Sequence, residues 1–271
     1  MITGINPVRN CIENGYPIIE SILSKYPICR EYKINDGGST DGTLEALTEL
    51  SEVYPKITLY QTPDIENTRW DSCTVQVNHM IKETKTPWIY LDNADEVFHE
   101  HDLLEVQKEL TITPHRIMRY PRKEVSHNWE KLCEDVYYPA RAAKRMKQLY
   151  MDWNPYGGDE FLYDDGWHDP KRQIKSNIPL YHLLNMFPDN KLTKLKHDAE
   201  YISPGDKRRV EIYNVFKNST FSYSKPKNIY NRLPALTHGL IYMSKYKIRE
   251  CLFDREWVEM VTGLDYGEVK S

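Results

Sequence analysis

The stretch Pro87–Asp102, P-W-I-Y-L-D-N-A-D-E-V-F-H-E-H-D, constrains this chain more than any other. Trp88–Leu91 is apolar throughout and reads as a short buried strand, after which the chain meets Asp92, Asp95 and Glu96 at once. Carboxylates in that place stand at the C-terminal edge of a strand. In an open α/β sheet that edge, at a switch point in strand order, is where ligands bind. Clustered Asp and Glu do not all stay ionised at low cost unless positive charge sits among them, and a hard divalent cation is the usual answer. Taken alone, the same residues are an acidic surface turn, because Asp and Glu are mostly exposed.

The residues before this stretch repeat one pattern of extended run, polar loop and helical run. Ile2–Asn6 is the expected first strand. Asn14-Gly15 then breaks the chain, and Ile18, Ile19, Ile22 and Leu23 recur at helical spacing until Pro27. Glu31–Asn35 alternates around Tyr32 and Ile34 as a second strand, less apolar than a central parallel strand should be. The loop Asp36–Thr43, D-G-G-S-T-D-G-T, leads into a helix marked by Leu44, Leu47, Leu50 and Val53. Ser39 or Thr40 is placed to cap that helix, and Pro55 stops it. Ile57–Gln61 is a third strand, and Val77, Met80 and Ile81 belong to a helix that carries the chain to Pro87. Strands separated by helices imply right-handed crossovers and a mainly parallel sheet covered on both faces, a three-layer α/β/α arrangement.

Further on, a helix is expected over Asp102–Leu110, a strand over Arg116–Tyr120, and a strand over Ile178–Leu184 that carries His182. Aromatic residues dominate between them. With 271 residues and no internal repeat or Pro/Gly/Ser-rich linker, one domain is the economical description.

Composition removes several classes of function. A formal net charge of -4 argues against nucleic-acid binding driven by bulk charge, and the basic runs Lys191–His197 and Lys207–Arg209 read as solvated faces. No apolar run approaches the roughly 18 residues that span a bilayer. The opening M-I-T-G-I-N-P-V-R-N lacks the basic and apolar regions of a secretory signal, so the mature chain is expected to begin there. The 5 cysteines form no C-x-x-C pair and are odd in number, which fits a reducing cytoplasmic compartment.

The loop D-G-G-S-T-D-G-T carries chemistry of its own. Its glycines let backbone turn sharply and approach a ligand, and Asp36 is placed to accept hydrogen bonds from a base or ribose. Asp41-Gly42 and Thr43 equally suit simple turn and cap chemistry. The loop is neither the dinucleotide fingerprint nor a Walker loop. Asp36 and Asp95 both follow strands of one parallel sheet, so both should face one cleft, and a nucleoside diphosphate with a divalent cation suits it.

These residues resemble the family 2 glycosyltransferases, of the nucleotide-sugar fold called GT-A, over roughly residues 3 to 110. The resemblance lies in V-R-N at Val8–Asn10, G-Y-P-I-I-E-S-I from Gly15, P-I-C-R-E-Y from Pro27, D-G-G-S-T-D-G-T, K-I-T-L-Y from Lys56, and L-D-N-A-D-E-V-F-H-E-H-D-L. It implies a single GT-A domain with a nucleotide-sugar-binding half over 1–110, an acceptor and catalytic half over 111–200, and a C-terminal helical extension over 201–271. It implies donor contacts from Pro7, Arg9, Asn10, Asp36, Gly38 and Asp92. The family's D-D-G-S-T-D-G-T meets this chain with Gly37 in place of its second Asp. The family's acidic motif is usually one residue shorter than L-D-N-A-D-E, so Asp95 matches its Mn²⁺ or Mg²⁺ ligand best, with Asp92 as the alternative. His182, in N-I-P-L-Y-H-L-L, is similar to a late-strand His that meets the metal or diphosphate, and imidazole suits Mn²⁺ better than Mg²⁺. A lone His beside apolar residues is equally a packed core group.

The implied activity is transfer of a sugar from a nucleotide-sugar, with UDP-sugars favoured, to a glycan, lipid-linked or protein acceptor. Family members usually invert, which requires a carboxylate base, and Asp159 followed by Glu160 is the expected choice over Asp164, Asp165 and Asp169. Trp153, Tyr156 and Trp167 are candidates to stack on acceptor sugars. Peripheral contact with a membrane through a lipid-linked acceptor and the oligomeric state stay open. The competing reading is a degenerate GT-A domain that binds nucleotide or glycan without transfer. G-G-D-E-F, Gly157–Phe161, is also the motif that names diguanylate cyclases, but the upstream context of those enzymes is missing here. The loop after the first strand also lacks the Gly-rich, Arg-containing form of a sugar-nucleotide pyrophosphorylase.

Overall fold

The computed structural model of the chain describes residues 1–14, 16–62, 69–124, 138–146, 149–154, 158–163, 172–183 and Gly263. The first half alternates as expected: β1 (Ile2–Val8), α1 (Ile18–Lys25), β2 (Glu31–Asp36), α2 (Thr43–Val53), β3 (Ile57–Gln61), α3 (Arg69–Glu83) and β4 (Trp88–Leu91). There follow β5 (Glu96–Phe98), α4 (Leu103–Ile112), β6 (Ile117–Arg119), β7 (Arg122–Glu124) and β8 (Ala140–Lys144). The last described elements are β9 (Leu149–Asn154), β10 (Gly158–Tyr163), β11 (Gln173–Lys175) and β12 (Leu180–His182). Apart from Gly263, the helical extension expected over 201–271 lies outside the described residues. No helix among the described residues is long and apolar enough to cross a membrane.

The main sheet runs in the order β11-β6-β8-β4-β1-β2-β3. β1 pairs in parallel with β2 and β4, β2 with β3, and β11 with β6, whereas β8 is antiparallel to both β4 and β6. The chain winds from β1 outward through β2 to β3, then crosses back to place β4 on the other side of β1. Strand order therefore reverses between β1 and β4, and the crevice at that point opens at their C-terminal ends.

Two apolar cores lie on opposite faces of this sheet, and strand alternation assigns them. Trp88 and Tyr90 of β4 join Ile2 and Val8 of β1 in the larger core, with Ile22 of α1 and Leu103 of α4. Ile89 and Leu91 join Ile5 in the other, with Val77 and Met80 of α3. Shifting either strand by one residue would exchange its two faces, so these patterns pin the register.

The polar character of β2 is resolved by pairing within the sheet. Lys33 is buried with its Nζ 3.3 Å from Glu31 Oε2, and Thr62 Oγ1 donates to Asn35 Oδ1 at 2.8 Å. Gly4 stands opposite Tyr32 in the ladder, and a Cβ on Gly4 would lie 2.5 Å from the Tyr32 ring. The missing side chain lets that ring lie across β1.

Three expected boundaries differ for local reasons. Pro27 does not stop a plain α-helix: α1 ends at Lys25, and Tyr26–Ile28 tightens into a 3-10 turn with Cys29 N–H donating to Tyr26 O at 3.1 Å. Neither Ser39 nor Thr40 caps α2; Gly42, in the left-handed region at φ 93, takes that place, and Asp41 Oδ1 accepts the Thr43 N–H at 3.0 Å. The late strand is confined to Leu180–His182, because Ser176 Oγ turns the chain just before it by accepting the Ile178 N–H at 3.0 Å.

Candidate functional site

Three loops meet at the C-terminal edge of β1, β2 and β4. The loops after β1 and β2 are zipped together by their own polar groups. Asn10, at φ 48, accepts the Thr40 N–H on its Oδ1 at 2.9 Å and donates its own N–H to Ser39 Oγ at 2.9 Å. Thr43 Oγ1 accepts the Ile12 N–H and Asp41 Oδ2 the Glu13 N–H. Positive φ at a non-glycine residue is uncommon, and Asn is among the few that tolerate it. Pro7 is half-buried near the end of β1, Arg9 is exposed, and Gly38, at φ 84, is exposed at the loop tip.

Asp36 is expected from the sequence to meet a nucleoside, but the structure commits it to its own loop. Its Oδ2 accepts the N–H groups of Gly38 and Ser39 at 3.0 and 2.9 Å, and the Ser39 hydroxyl donates to Oδ1. Only 1% of Asp36 is exposed, so it shapes the loop rather than presenting a carboxylate to a base. Beside it, Gly37 leaves a slot that a side chain from α3 fills. A Cβ on Gly37 would lie 2.2 Å from Nε2 of the buried Gln76. The Gly at this position and the Gln on the helix therefore belong together.

The acidic side chains of the turn after β4 are all buried and divide by partner. Asp92 faces inward and is 0% exposed. Lys25 Nζ lies 2.6 Å from its Oδ1, Asn6 Nδ2 donates to Oδ2 at 3.3 Å, and the Tyr32 hydroxyl, carried across Gly4, donates to Oδ2 as well. Asp92 thus has no surface left for a nucleotide, which corrects its expected donor contact. Burial pushes its carboxyl up to about 6, against the pull of Lys25 and Tyr32. Glu96 is also buried and makes a bidentate pair with Arg141, Nε to Oε2 at 2.7 Å and NH2 to Oε1 at 2.8 Å. Burial raises the Glu96 carboxyl, but the Arg141 charge and hydrogen bonds outweigh it and hold it below the usual range.

Asp95, itself only 6% exposed, takes a different partner. β12 runs antiparallel to β5, with His182 opposite Glu96, and the ladder continues as Leu183 N–H donates to Asp95 O at 2.8 Å. This brings His182 Nε2 to 3.1 Å from Asp95 Oδ2, although the two residues are far apart in sequence. The pair fits a divalent cation. An octahedral ion with ligands at about 2.1 Å sets neighbouring ligand atoms about 3 Å apart, and a carboxylate with an imidazole suits Mn²⁺ better than the all-oxygen preference of Mg²⁺. A second group, His99, Glu100 and His101, also brings three possible ligand atoms within 4.8 Å of one another. Within it His99 Nδ1 accepts the His101 N–H at 3.2 Å.

The candidate bases lie on the β9–β10 hairpin, where Asp159 stands opposite Trp153 and Glu160 opposite Asp152. Their side chains and that of Trp153 lie outside the described residues, as do Tyr156, Asp164, Asp165, Trp167 and Asp169. The hairpin is fastened to α3 by one side chain acting as a strand: Asn78 Nδ2 donates to Met151 O at 2.9 Å and its Oδ1 accepts the Met151 N–H at 2.8 Å.

Sequence reasoning missed Ser21, Lys25, Gln76 and Arg141. The signal for the first two was present: both share the buried stripe of α1 with Ile18 and Ile22, where a polar residue needs a partner.

Comparison with known proteins places these features in context. The model of the family described as "Glycosyl transferase family 2" matches residues 5–174. No curated protein sequence matches significantly. Among solved structures, TarS of S. aureus is similar at 13% identity and a TM-score of 0.46, over 92% of this chain and 46% of that one. The chain therefore spans less than half of TarS. Glucosyl-3-phosphoglycerate synthase from Mycobacterium tuberculosis, in complex with Mn²⁺, uridine diphosphate and glucosyl-3-phosphoglycerate, is similar at 14% identity and a TM-score of 0.46, over 76% of this chain and 81% of that one. The mannosyltransferase PcManGT from Pyrobaculum calidifontis, in complex with GDP-Man and Mn²⁺, is similar at 15% identity and a TM-score of 0.43, over 80% of this chain and 68% of that one.

Proposed function

The chain belongs to glycosyl transferase family 2, and from that membership we propose that it transfers a sugar from a nucleotide-sugar donor, a UDP-sugar by preference, to a glycan, lipid-linked or protein acceptor. The observation that carries this reading is the 3.1 Å approach of His182 Nε2 to Asp95 Oδ2 at the edge where strand order reverses. Asp95 and His182 hold the divalent cation, Mn²⁺ in preference to Mg²⁺. Such a cation, when bound, supplies Lewis-acid stabilisation of charge developing on the leaving diphosphate.

The chain's own residues do the rest. The loops after β1 and β2, with Pro7, Arg9, Asn10 and Gly38, form the wall against which the nucleoside lies, and Asp36 keeps that wall in shape from within. Asp92 anchors the acidic turn from below. Asp159, or Glu160 beside it, takes the proton of the acceptor hydroxyl as its oxygen bonds to the anomeric carbon and the nucleoside diphosphate departs, which inverts the configuration. An ordinary carboxylate pKa is sufficient, because the hydroxyl loses its proton only as the new bond forms.

Calorimetric titration with UDP, GDP, dTDP and CDP, each with Mn²⁺, Mg²⁺ or EDTA, tests the reading. One nucleotide should bind with Mn²⁺ and fail to bind in EDTA. Absence of binding under every condition would remove the donor site from the account.

A further inference from the structure

Ser21 and Lys25 lie one turn apart on α1, both buried, on the face that meets the turn Asp92–Glu96. Lys25 Nζ reaches Asp92 Oδ1 at 2.6 Å, Glu96 O, and Ser21 Oγ and Ser21 O, each at 3.1 Å. Ser21 Oγ lies 2.7 Å from Asn93 O, 2.9 Å from Glu96 O, and 3.2 Å from both oxygens of Asp92. An ammonium has three protons and a hydroxyl one. Lys25 therefore serves Asp92, Glu96 O and Ser21, and the Ser21 hydroxyl donates its one hydrogen bond to the nearest acceptor, Asn93 O.

The two carbonyls held in this way bracket Asp95. Asn93 O lies two residues before it and Glu96 O one residue after, while the carbonyl of Asp95 itself is held from the other side by Leu183 N–H. The backbone on either side of Asp95 is fixed from α1. The side chain of Asp95 meets His182 Nε2 at 3.1 Å.

We propose that Ser21 and Lys25 are positioning residues that fix Asp95 at the ligand distance from His182 and so set the affinity of the site for its divalent cation; this rests on the reading of Asp95 and His182 as ligands given above. Neither residue touches the cation. Their effect passes through the carbonyls of the turn, and Asp92 is the counter-charge that keeps Lys25 in place.

Two variants separate positioning from stability. Ser21→Ala and Tyr32→Phe each remove one hydroxyl from the same buried cluster, but Tyr32 donates to the Asp92 side chain whereas Ser21 lies against the turn carbonyls. Mn²⁺ binding would be followed by electron paramagnetic resonance of the free ion with UDP or GDP present, alongside thermal melting. Ser21→Ala should weaken Mn²⁺ binding about tenfold or more, in the range seen when groups that orient metal ligands are removed. Tyr32→Phe should lose melting temperature yet keep Mn²⁺ affinity within about twofold of wild type by the same reasoning. Ser21→Cys, close in shape with a weak donor, should fall between and replaces Ser21→Ala if that variant does not fold. Unchanged Mn²⁺ affinity in the Ser21 variants, or a loss in all variants that tracks their melting temperatures, would overturn the proposal. A wild-type chain that binds no Mn²⁺ with either nucleotide would instead count against the donor site itself.

Discussion

Replacing Lys25 with Met keeps the length of the side chain and removes its ammonium, which turns the buried pair with Asp92 into a lone buried carboxylate. In the wild type, burial raises Asp92 from an ordinary 3.8 to about 6. A folded-state value above the unfolded one means that the folded protein holds the proton more tightly. The contribution of this group to stability is therefore greatest below pH 3.8 and declines as pH rises to about 6, and the interval corresponds to about 3 kcal/mol. Above pH 6 the wild type levels off, because Asp92 is then ionised in both states, and Lys25 at 2.6 Å is what keeps the folded-state value from lying higher. In Lys25→Met nothing replaces that charge, the folded-state value rises further, and the decline continues through neutral pH.

The difference between the two proteins should therefore depend on pH. At pH 5 Asp92 is mostly neutral in both, and the variant lacks the hydrogen bonds from Lys25 to Asp92, Glu96 O and Ser21, about 2–3 kcal/mol. At pH 8 the variant carries an uncompensated buried group, about 3–5 kcal/mol. Urea unfolding followed by tryptophan fluorescence at the two pH values measures both gaps, and groups common to both proteins cancel in the difference. A gap that is equal at pH 5 and pH 8, or larger at pH 5, would refute the reasoning.

Two further perturbations probe the parts around this turn. Gly37→Asp would force a side chain against Gln76 Nε2, 2.2 Å from the new Cβ, and should cost about 1–3 kcal/mol, with melting temperature restored by Gln76→Ala in the same background. Asn78→Ala removes both bonds to Met151 and should raise proteolytic cleavage within residues 149–163 while lowering kcat more than the donor KM, since the hairpin with Asp159 and Glu160 would lose its fastening.

The fold of the first half was legible because each of its elements announces itself locally. Trp88–Leu91 and Ile57–Gln61 appear as strands with the bounds read from apolar runs, and the stripes of α1 and α3 follow helical spacing. What sequence could not supply was the direction in which each acidic side chain turns. Asp92 and Asp95 sit three residues apart, yet one is drawn inward by Lys25 and Tyr32 while the other meets His182. Both outcomes depend on partners distant in the chain. Tyr32 reaches Asp92 because position 4 is glycine, and His182 reaches Asp95 because β12 pairs with β5. The capping of α2 was misjudged for a related reason: Ser39 is occupied by Asp36 and Asn10, which leaves Gly42 to end the loop.

The most direct test of the account is the Mn²⁺ affinity of Asp95→Ala and His182→Ala with UDP or GDP present, read by electron paramagnetic resonance beside circular dichroism of the same samples. The account predicts that each variant keeps its secondary structure and loses Mn²⁺ binding by about tenfold or more, along with metal-dependent nucleotide binding. Wild-type Mn²⁺ affinity in both folded variants would contradict it and place the cation elsewhere in the chain.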